Sequence, residues 1–129
     1  MNRLVIDAYA WIEYFNGTPI GKNVKDLIEN DNNEVYTNVI TIAELKSSYE
    51  RNKLDFKEEK KALLGLSKFY YITLDFAEEV GKLHAELKKE RKNISLADSF
   101  VLSTAKQLKA KVVTGDKDFR GLKEVIMIK

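Results

Sequence analysis

The sequence predicts an α/β fold, a three-layer α/β/α sandwich around a central, mostly parallel sheet. Short apolar runs alternate with longer helical stretches along the chain. These runs are apolar on both faces, as strands of a parallel sheet are when helices cover both sides. The 129 residues, 44% of them hydrophobic, have the size of one compact domain. No linker or repeat divides them, so we expect a single domain over residues 1–129.

Five runs have the length and composition of strands, and six stretches have those of helices. The predicted strands are 3–7, 34–40, 70–74, 111–115 and 125–129. The predicted helices are 8–15, 20–30, 41–52, 56–68, 75–91 and 95–108. Right-handed crossovers between parallel strands bring the carboxyl ends of the strands to one edge of the sheet, where ligand sites form.

The composition excludes several kinds of site. The chain has no cysteine, which removes disulfides, thiolate nucleophiles and cysteine-based metal sites. The single histidine, His84, excludes histidine-rich zinc motifs, and we expect it to be a structural or surface residue. We find no secretory signal and no run of membrane-spanning length, which predicts a soluble, cytoplasmic protein without membrane contact. A net charge of +2 does not by itself indicate a nucleic-acid binder.

Acidic residues recur where predicted strands end or the following helices begin. Asp7 ends the first strand, Glu44 lies in the first turn after the second, and Asp98 begins the helix that leads into the fourth. Asp116 and Asp118 follow that fourth strand. The topology therefore predicts that these carboxylates meet at one edge. Clustered carboxylates repel one another, so their convergence indicates a bound divalent cation with oxygen ligands.

Each acidic residue also has a purely structural interpretation. The segments "TIAE" (41–44) and "SLAD" (95–98) both fit the capping box, in which the two ends of a first helical turn satisfy each other's amides. Asp7 is a possible helix N-cap, and Asp116 a possible turn residue. A cation site is favoured because all of these residues are expected on the same edge.

Four segments, "VIDAYAWIEYF", "NVITIAEL", "ISLADSFVLSTAKQL" and "VVTGDKDF", resemble in order and spacing the motifs of the PIN-domain ribonucleases. Among these ribonucleases they are similar to the VapC-like toxins of toxin-antitoxin pairs. The resemblance spans almost the whole chain. It implies a PIN-like doubly wound sandwich and an endoribonuclease that depends on Mg²⁺ or Mn²⁺. Bound metal would activate a water for attack at phosphorus, without a histidine or a thiol.

The resemblance also implies roles for individual residues. The metal-binding catalytic residues that it implies are Asp7, Glu44, Asp98 and Asp116. It further implies Asp118 as an auxiliary metal ligand and Thr114 as a supporting hydroxyl. Many relatives carry Thr or Ser directly after the first Asp, whereas this chain has Ala8, so one supporting hydroxyl is missing.

An acidic cleft needs basic residues around it to bind RNA. The candidates are Lys46, Arg51, Lys53, Lys117, Arg120 and the run "KKERK" (88–92). Each of them is alternatively part of a solvated helix face. The aromatic residues Tyr9, Trp11, Tyr14 and Phe15 are interpreted as core or subunit interface. The resemblance implies a homodimer and a protein antitoxin as partners.

Three alternatives remain at this point. A phosphoacceptor receiver domain has a similar length and an acidic Mg²⁺ site, and Asp75 follows the predicted third strand as its phosphoacceptor would. It expects paired acidic residues after the first strand, where Asp7 stands alone. A haloacid-dehalogenase-like phosphatase expects an Asp two residues after the first, where this chain has Tyr9. The last alternative, an inactive RNA-binding PIN relative, is disfavoured by the intact acidic set.

Overall fold

The computed structural model describes residues 2–129, and strands alternate with helices throughout. The strands are β1 (Asn2–Ile6), β2 (Asn33–Asn38), β3 (Lys68–Tyr70), β4 (Lys111–Thr114) and β5 (Val125–Met127). The α-helices are α1 (Ala8–Asn16), α2 (Pro19–Glu29), α3 (Val39–Arg51), α4 (Lys57–Leu66), α5 (Leu74–Lys88) and α6 (Leu96–Leu108). A short 3-10 helix, Lys117–Phe119, follows β4. Within residues 2–129, no helix combines the length and the hydropathy that a membrane span requires.

The five strands form one sheet in the order β3-β2-β1-β4-β5, and every pair is parallel. β1 is central, with Val5 opposite Tyr36 of β2 on one side and Val112 of β4 on the other. The chain therefore winds outward from β1 to β3, crosses back to β4 and winds outward again. This doubly wound parallel sheet confirms the predicted fold class, and the strand order reverses beside β1, where ligands bind in such sheets.

Two apolar cores cover the two faces of the sheet, because successive side chains of a strand point to opposite faces. Leu4 and Ile6 of β1 pack into the core formed by α1 to α4, whereas Val5 packs into the core formed with α6. The first core contains the fully buried Trp11, whose Nε1 donates a hydrogen bond to Thr37 Oγ1 at 3.2 Å. The helices thus form the two outer layers of the sandwich.

The predicted aromatic residues and histidine have mostly structural positions. Tyr14 and Phe15 pack on Trp11, with ring centroids 5.6 Å from it, which confirms their interpretation as core. Tyr9 is separate from this group and lies against Gly115, as described below. The Nε2 atom of the partly buried His84 is 3.3 Å from the Ile94 carbonyl oxygen, an internal contact that joins α5 to the loop before α6.

Three predicted strands end too late or lie too far along the chain. The fifth was predicted at 125–129, but β5 ends at Met127. The second was predicted to reach residue 40, but β2 ends at Asn38 because the Asn38 side chain accepts a hydrogen bond from the Ile40 amide and starts α3. The third was predicted at 70–74, but β3 is Lys68–Tyr70. Thr73, which the pattern assigned to that strand, instead caps α5 by accepting a hydrogen bond from the Phe76 amide. Side-chain caps therefore decided the boundaries of the second and third strands.

Candidate metal centre

Three aspartates converge at the carboxyl edge of the sheet. Asp98 lies in the first turn of α6, and Asp116 and Asp118 lie in the turn that leaves β4. Each offers a carboxylate oxygen, and these oxygens all lie within 4.8 Å of one another. The sequence predicted that these carboxylates meet at one edge of the sheet, and the structure adds how closely the three aspartates approach.

Asp7 lies beside this group at the end of β1 and is almost fully buried. Burial raises the pKa of the Asp7 carboxyl to about 7, and the charges of Asp98 and Glu44 add smaller increases. The Thr114 hydroxyl and the Ala10 amide act in the opposite direction. Asp7 therefore shares the electrostatic environment of the cluster.

Glu44 approaches from α3, on the β2 side of Asp7. Burial raises the pKa of the Glu44 carboxyl to about 7, and the charges of Asp98 and Asp116 contribute to the increase. Burial also raises the pKa of Asp98, to which Asp116 and Asp118 add, whereas hydrogen bonds from Ser95 oppose the change. All five acidic residues that the sequence singled out are thus coupled at one edge of the sheet.

Local hydrogen bonds fix three of the carboxylates. Asp7 Oδ1 accepts from the Ala10 amide at 2.8 Å and caps α1. Asp98 Oδ2 accepts from the Ser95 amide at 3.0 Å, and Asp116 Oδ1 accepts from the Asp118 amide at 2.9 Å. Despite these bonds, Asp98 and Asp116 each still offer a carboxylate oxygen to the cluster, whereas the Asp7 carboxylate is also hydrogen-bonded by the Thr114 hydroxyl. A structural role and a ligand role are therefore compatible in Asp98 and Asp116.

Only one of the two segments that fit the capping box forms one. Ser95 and Asp98 form it, because the Asp98 amide also donates to Ser95 Oγ at 3.0 Å. The alternative interpretation of 41–44 as a capping box does not hold, since α3 begins at Val39 and Asn38 is its N-cap. The Thr41 hydroxyl is buried there without a hydrogen-bond partner. Glu44 consequently has no capping role to explain its position.

Thr114 and Gly115 shape the turn that carries Asp116. The buried Thr114 hydroxyl accepts a hydrogen bond from the Asp116 amide at 3.0 Å, which agrees with a supporting role for Thr114. The Tyr9 ring packs directly over Gly115, and a Cβ atom at position 115 would collide with three of its ring carbons. Gly115 is therefore required for this close approach.

The donor atoms of this centre are carboxylate oxygens, without nitrogen or sulfur. Such a set fits a hard divalent cation, which prefers oxygen ligands. The raised pKa values of Asp7 and Glu44 also favour a cation, because they result from burial and from repulsion between carboxylates, both of which a bound cation would offset. The residues present thus fit a divalent metal ion.

Residues 4–125 match the family model of the PIN domain. The chain belongs to the PIN domain family. No curated protein matches it by sequence.

Several solved structures share the fold of this PIN domain. A chain of a toxin-antitoxin complex from Klebsiella pneumoniae is 22% identical, with a TM-score of 0.75 and coverage of 98% of both chains. VapC20 from Mycobacterium tuberculosis, described as a sarcin-ricin loop cleaving toxin, is 14% identical with a TM-score of 0.74, covering 93% of this chain and 95% of its own. A DNA-bound VapBC from Salmonella typhimurium is 17% identical with a TM-score of 0.73 over 100% of both chains. At these identities the similarity establishes the fold.

Two groups of residues that hold the centre of this PIN domain together were not singled out for that role from the sequence. Arg91 Nη1 donates to the Asp118 carbonyl oxygen at 3.0 Å, joining the loop after α5 to the Asp116 turn. The buried Asn38 Nδ2 donates to Thr104 Oγ1 at 2.7 Å, joining the end of β2 to α6. The two contacts join residues 27 and 66 positions apart, so no local sequence pattern predicts them.

The basic residues predicted to contact RNA have different surroundings. In the segment 88–92, Lys88 and Arg91 donate to backbone carbonyls and Lys89 pairs with Glu86. Lys46 pairs with Glu50 at 2.6 Å. Lys53 lies in the exposed turn after α3, with a positive φ of 56°. Much of the predicted basic surface is thus already engaged within the chain.

Two clefts flank the acidic residues of the PIN domain, on either side of Asp7. The cleft on the β2 side has a volume of about 330 Å³ and is lined by Glu44 and Arg51 among others. The cleft on the β4 side has a volume of about 410 Å³ and includes Asp116, Lys117 and Arg120 in its lining. Both open beside the centre, so a ligand that spans them would cross the carboxylates.

Proposed function

We propose that this PIN domain is a metal-dependent endoribonuclease that hydrolyses RNA phosphodiester bonds. The observation that carries the proposal is the convergence of Asp98, Asp116 and Asp118 at the edge where Asp7 and Glu44 also lie. Membership of the PIN family supports the reaction class. The description of VapC20 as a toxin that cleaves the sarcin-ricin loop supports RNA as the substrate class.

The proposed cofactor is Mg²⁺ or Mn²⁺, and the proposed ligands are Asp7, Glu44, Asp98, Asp116 and Asp118. A divalent cation held by these residues would lower the pKa of a bound water and stabilise charge on the phosphoryl and leaving oxygens. The protein supplies orientation. The capping box holds Asp98 and the Thr114 hydroxyl holds the Asp116 turn before any ligand arrives, which reduces the entropy lost when the reacting groups are aligned.

Two of the carboxylates also bind and release protons near neutral pH. Asp7 and Glu44 have pKa values of about 7 without a cation, so both are partly protonated at neutral pH. Carboxylates must release such protons before they bind a metal ion, so metal affinity depends on pH. Release from Asp7 occurs in a buried position, whereas Glu44 is only half-buried and borders the β2-side cleft.

The strand order argues against the receiver alternative. In a receiver-like sheet of order 2-1-3-4-5 the third strand adjoins the first, which brings the phosphoacceptor to the first-strand acidic residues. Here β3 lies at the edge of the sheet, and β2 separates it from β1. Asp75, which follows β3, is exposed and is not among the charges that shift the pKa of Asp7, Glu44 or Asp98.

The purified protein should cleave single-stranded or structured RNA in Mn²⁺ or Mg²⁺ and lose this activity in EDTA. Asp98→Asn should lose at least roughly 100-fold in rate, since changes even to residues that only support metal ligands lower activity 10–100-fold. Asp75→Asn is the matched control, because it removes an exposed carboxylate from a first helical turn at the same edge of the sheet. Cleavage that persists in EDTA would contradict the metal mechanism, and uptake of phosphate from acetyl phosphate at Asp75 would favour a receiver.

We further propose that the chain is the toxin of a VapBC-type pair, with a protein antitoxin and a second copy of the chain as partners. The toxin-antitoxin complexes among its structural neighbours support the antitoxin.

Co-expression with the small protein encoded beside it should give a complex in which RNA cleavage is suppressed. Light scattering on the isolated chain and on the complex gives the stoichiometry, and cleavage assays on both give the inhibition. A chain that purifies alone from this co-expression and stays freely active would contradict the antitoxin. A monomer at all concentrations would contradict the homodimer.

A further inference from the structure

The cleft on the β4 side has a chemistry that the metal centre does not explain. It is lined by Tyr9, Gly115, Asp116, Lys117, Arg120 and Lys129. Asp116 is the point at which this cleft meets the metal centre. The other charged residues of the lining are all cations, although the centre beside it is acidic.

None of these cations forms an ion pair with another described residue. Among residues 2–129, the ion pairs involve Arg3 and the lysines at 25, 46, 61, 68, 89 and 106, and none involves Lys117, Arg120 or Lys129. Lys117 and Arg120 are exposed, so their charges face solvent. The cleft therefore presents unneutralised positive charge directly beside the carboxylates.

The backbone that carries Lys117 and Arg120 is firmly held. The Phe119 amide donates to the Asp116 carbonyl and the Arg120 amide donates to the Lys117 carbonyl, both at 3.1 Å. The Phe119 side chain between them is fully buried. Arg91 holds the same turn from the loop after α5. Because the turn is already ordered, its backbone would lose little conformational entropy when Lys117 and Arg120 bind a ligand.

The Tyr9 ring forms an apolar wall of the cleft. Its contact with Gly115 fixes the ring, and the Lys129 ammonium lies 5.9 Å from the ring centroid. Sites for single-stranded nucleic acid combine cations, which contact the phosphates, with aromatic rings, which contact the adjoining nucleosides, and this cleft offers both beside the metal centre.

We propose that this cleft binds a phosphodiester of single-stranded RNA that flanks the scissile one, with Lys117 and Arg120 contacting its oxygens and Tyr9 facing the adjoining ribose. The inference rests on the proposed ribonuclease function and adds to it the side on which the strand leaves the metal centre. The cations offset the repulsion that a carboxylate cluster exerts on a polyanion.

The test is the salt dependence of RNA binding, which counts phosphate contacts. A fluorescein-labelled pool of single-stranded 12-nucleotide RNA of random sequence is titrated in EDTA with protein that carries Asp98→Asn, so that none is cleaved. The double variant Lys117→Gln and Arg120→Gln should reduce the slope of log affinity against log salt by about 1.4, since each contact to a single strand contributes about 0.7. At 0.1 M salt this corresponds to binding that is weaker by about 25-fold.

The matched control is Lys22→Gln with Lys25→Gln, which removes the same charge from α2. That helix lies between the end of α1 and the start of β2, at the opposite edge of the sheet. The slope of log affinity against log salt for this control variant should equal that of the parent protein. Equal slopes in the two double variants would overturn the inference.

Two further measurements separate the outcomes. Inorganic phosphate should not displace the RNA beyond the effect of chloride at equal ionic strength, and specific competition would overturn the RNA assignment in favour of a free anion. The protein without the Asp98 change is assayed for cleavage in parallel. If this protein cleaves RNA but the two double variants have equal salt slopes, only the role of the β4-side cleft is overturned. If it does not cleave RNA, the proposed function is overturned together with the inference that rests on it.

Discussion

Replacing Glu44 with Gln should lower the proposed metal-dependent RNA cleavage by roughly 100-fold or more, because Glu44 is a proposed direct ligand and even changes to residues that support metal ligands lower activity about 10–100-fold. The substitution keeps the shape of the side chain and removes its charge. Glu44 forms no capping box, since Asn38 caps α3, so the helix does not depend on it. The effect should therefore fall on metal binding and catalysis and leave the fold intact.

The same substitution should leave the metal-free protein as stable as the parent, or slightly more stable. Burial and the charges of Asp98 and Asp116 raise the pKa of Glu44, which means that its ionised form is unfavourable in the folded state. Stability traded for function is common at such sites. The measurements are thermal melting in EDTA and cleavage in Mn²⁺, with Glu50→Gln on the exposed part of the same helix as control. Full activity of Glu44→Gln would contradict the proposed role of Glu44 as a metal ligand. A lower melting temperature without metal would contradict the repulsion between Glu44 and the neighbouring carboxylates.

Without a metal, the free energy of unfolding should fall as the pH rises from about 4 to about 7. The pKa of Asp7 is about 7 in the folded protein and 3.8 in its ordinary state. Between these values the folded state retains a proton that the unfolded chain has released, so each rise in pH favours unfolding. The shift of about three units corresponds to a loss of up to about 4 kcal/mol. Glu44 and Asp98, whose pKa values are also raised, act in the same direction.

Asp7→Asn isolates this contribution. Asn is as good an N-cap as Asp, so α1 keeps its first hydrogen bond while the buried charge disappears. In EDTA the variant should match the parent near pH 4 and exceed its stability near pH 8, as measured by urea denaturation. Asp26→Asn, an exposed acidic residue of α2, should follow the parent at both pH values. An Asp7→Asn protein that is less stable than the parent at pH 8 would contradict the buried, destabilised carboxylate.

The sequence allowed the edge of the sheet to be predicted, because that edge follows from topology. Apolar strands between helices imply parallel pairing, and parallel pairing places Asp7, Glu44 and the residues after β4 together. Asp98 could be placed at the same edge because its helix leads directly into β4. Chain direction alone thus accounts for the shared edge, whereas the close approach of the carboxylates depends on the strand order, which the sequence did not predict.

The details that failed depend on competition between local partners. "TIAE" and "SLAD" are equivalent as patterns, yet only the second forms a capping box, because Asn38 starts the α3 helix earlier than Thr41 could. The contacts of Arg91 with Asp118 and of Asn38 with Thr104 join distant parts of the chain. Such contacts exist only once the layers have packed, and a single sequence contains no local signal for them.

The order of the strands also has a consequence for synthesis. Asp7 and Glu44 belong to the half of the sheet that the ribosome makes first, whereas Asp98, Asp116 and Asp118 lie in the last quarter of the chain. β4 must insert beside the central β1 before the aspartates can approach one another, since β1 has only β2 as a neighbour until then. A nascent or truncated chain that ends before α6 therefore lacks three of the five carboxylates. The proposed nuclease would therefore complete its carboxylate cluster only after α6 and the turn that follows β4 have been made.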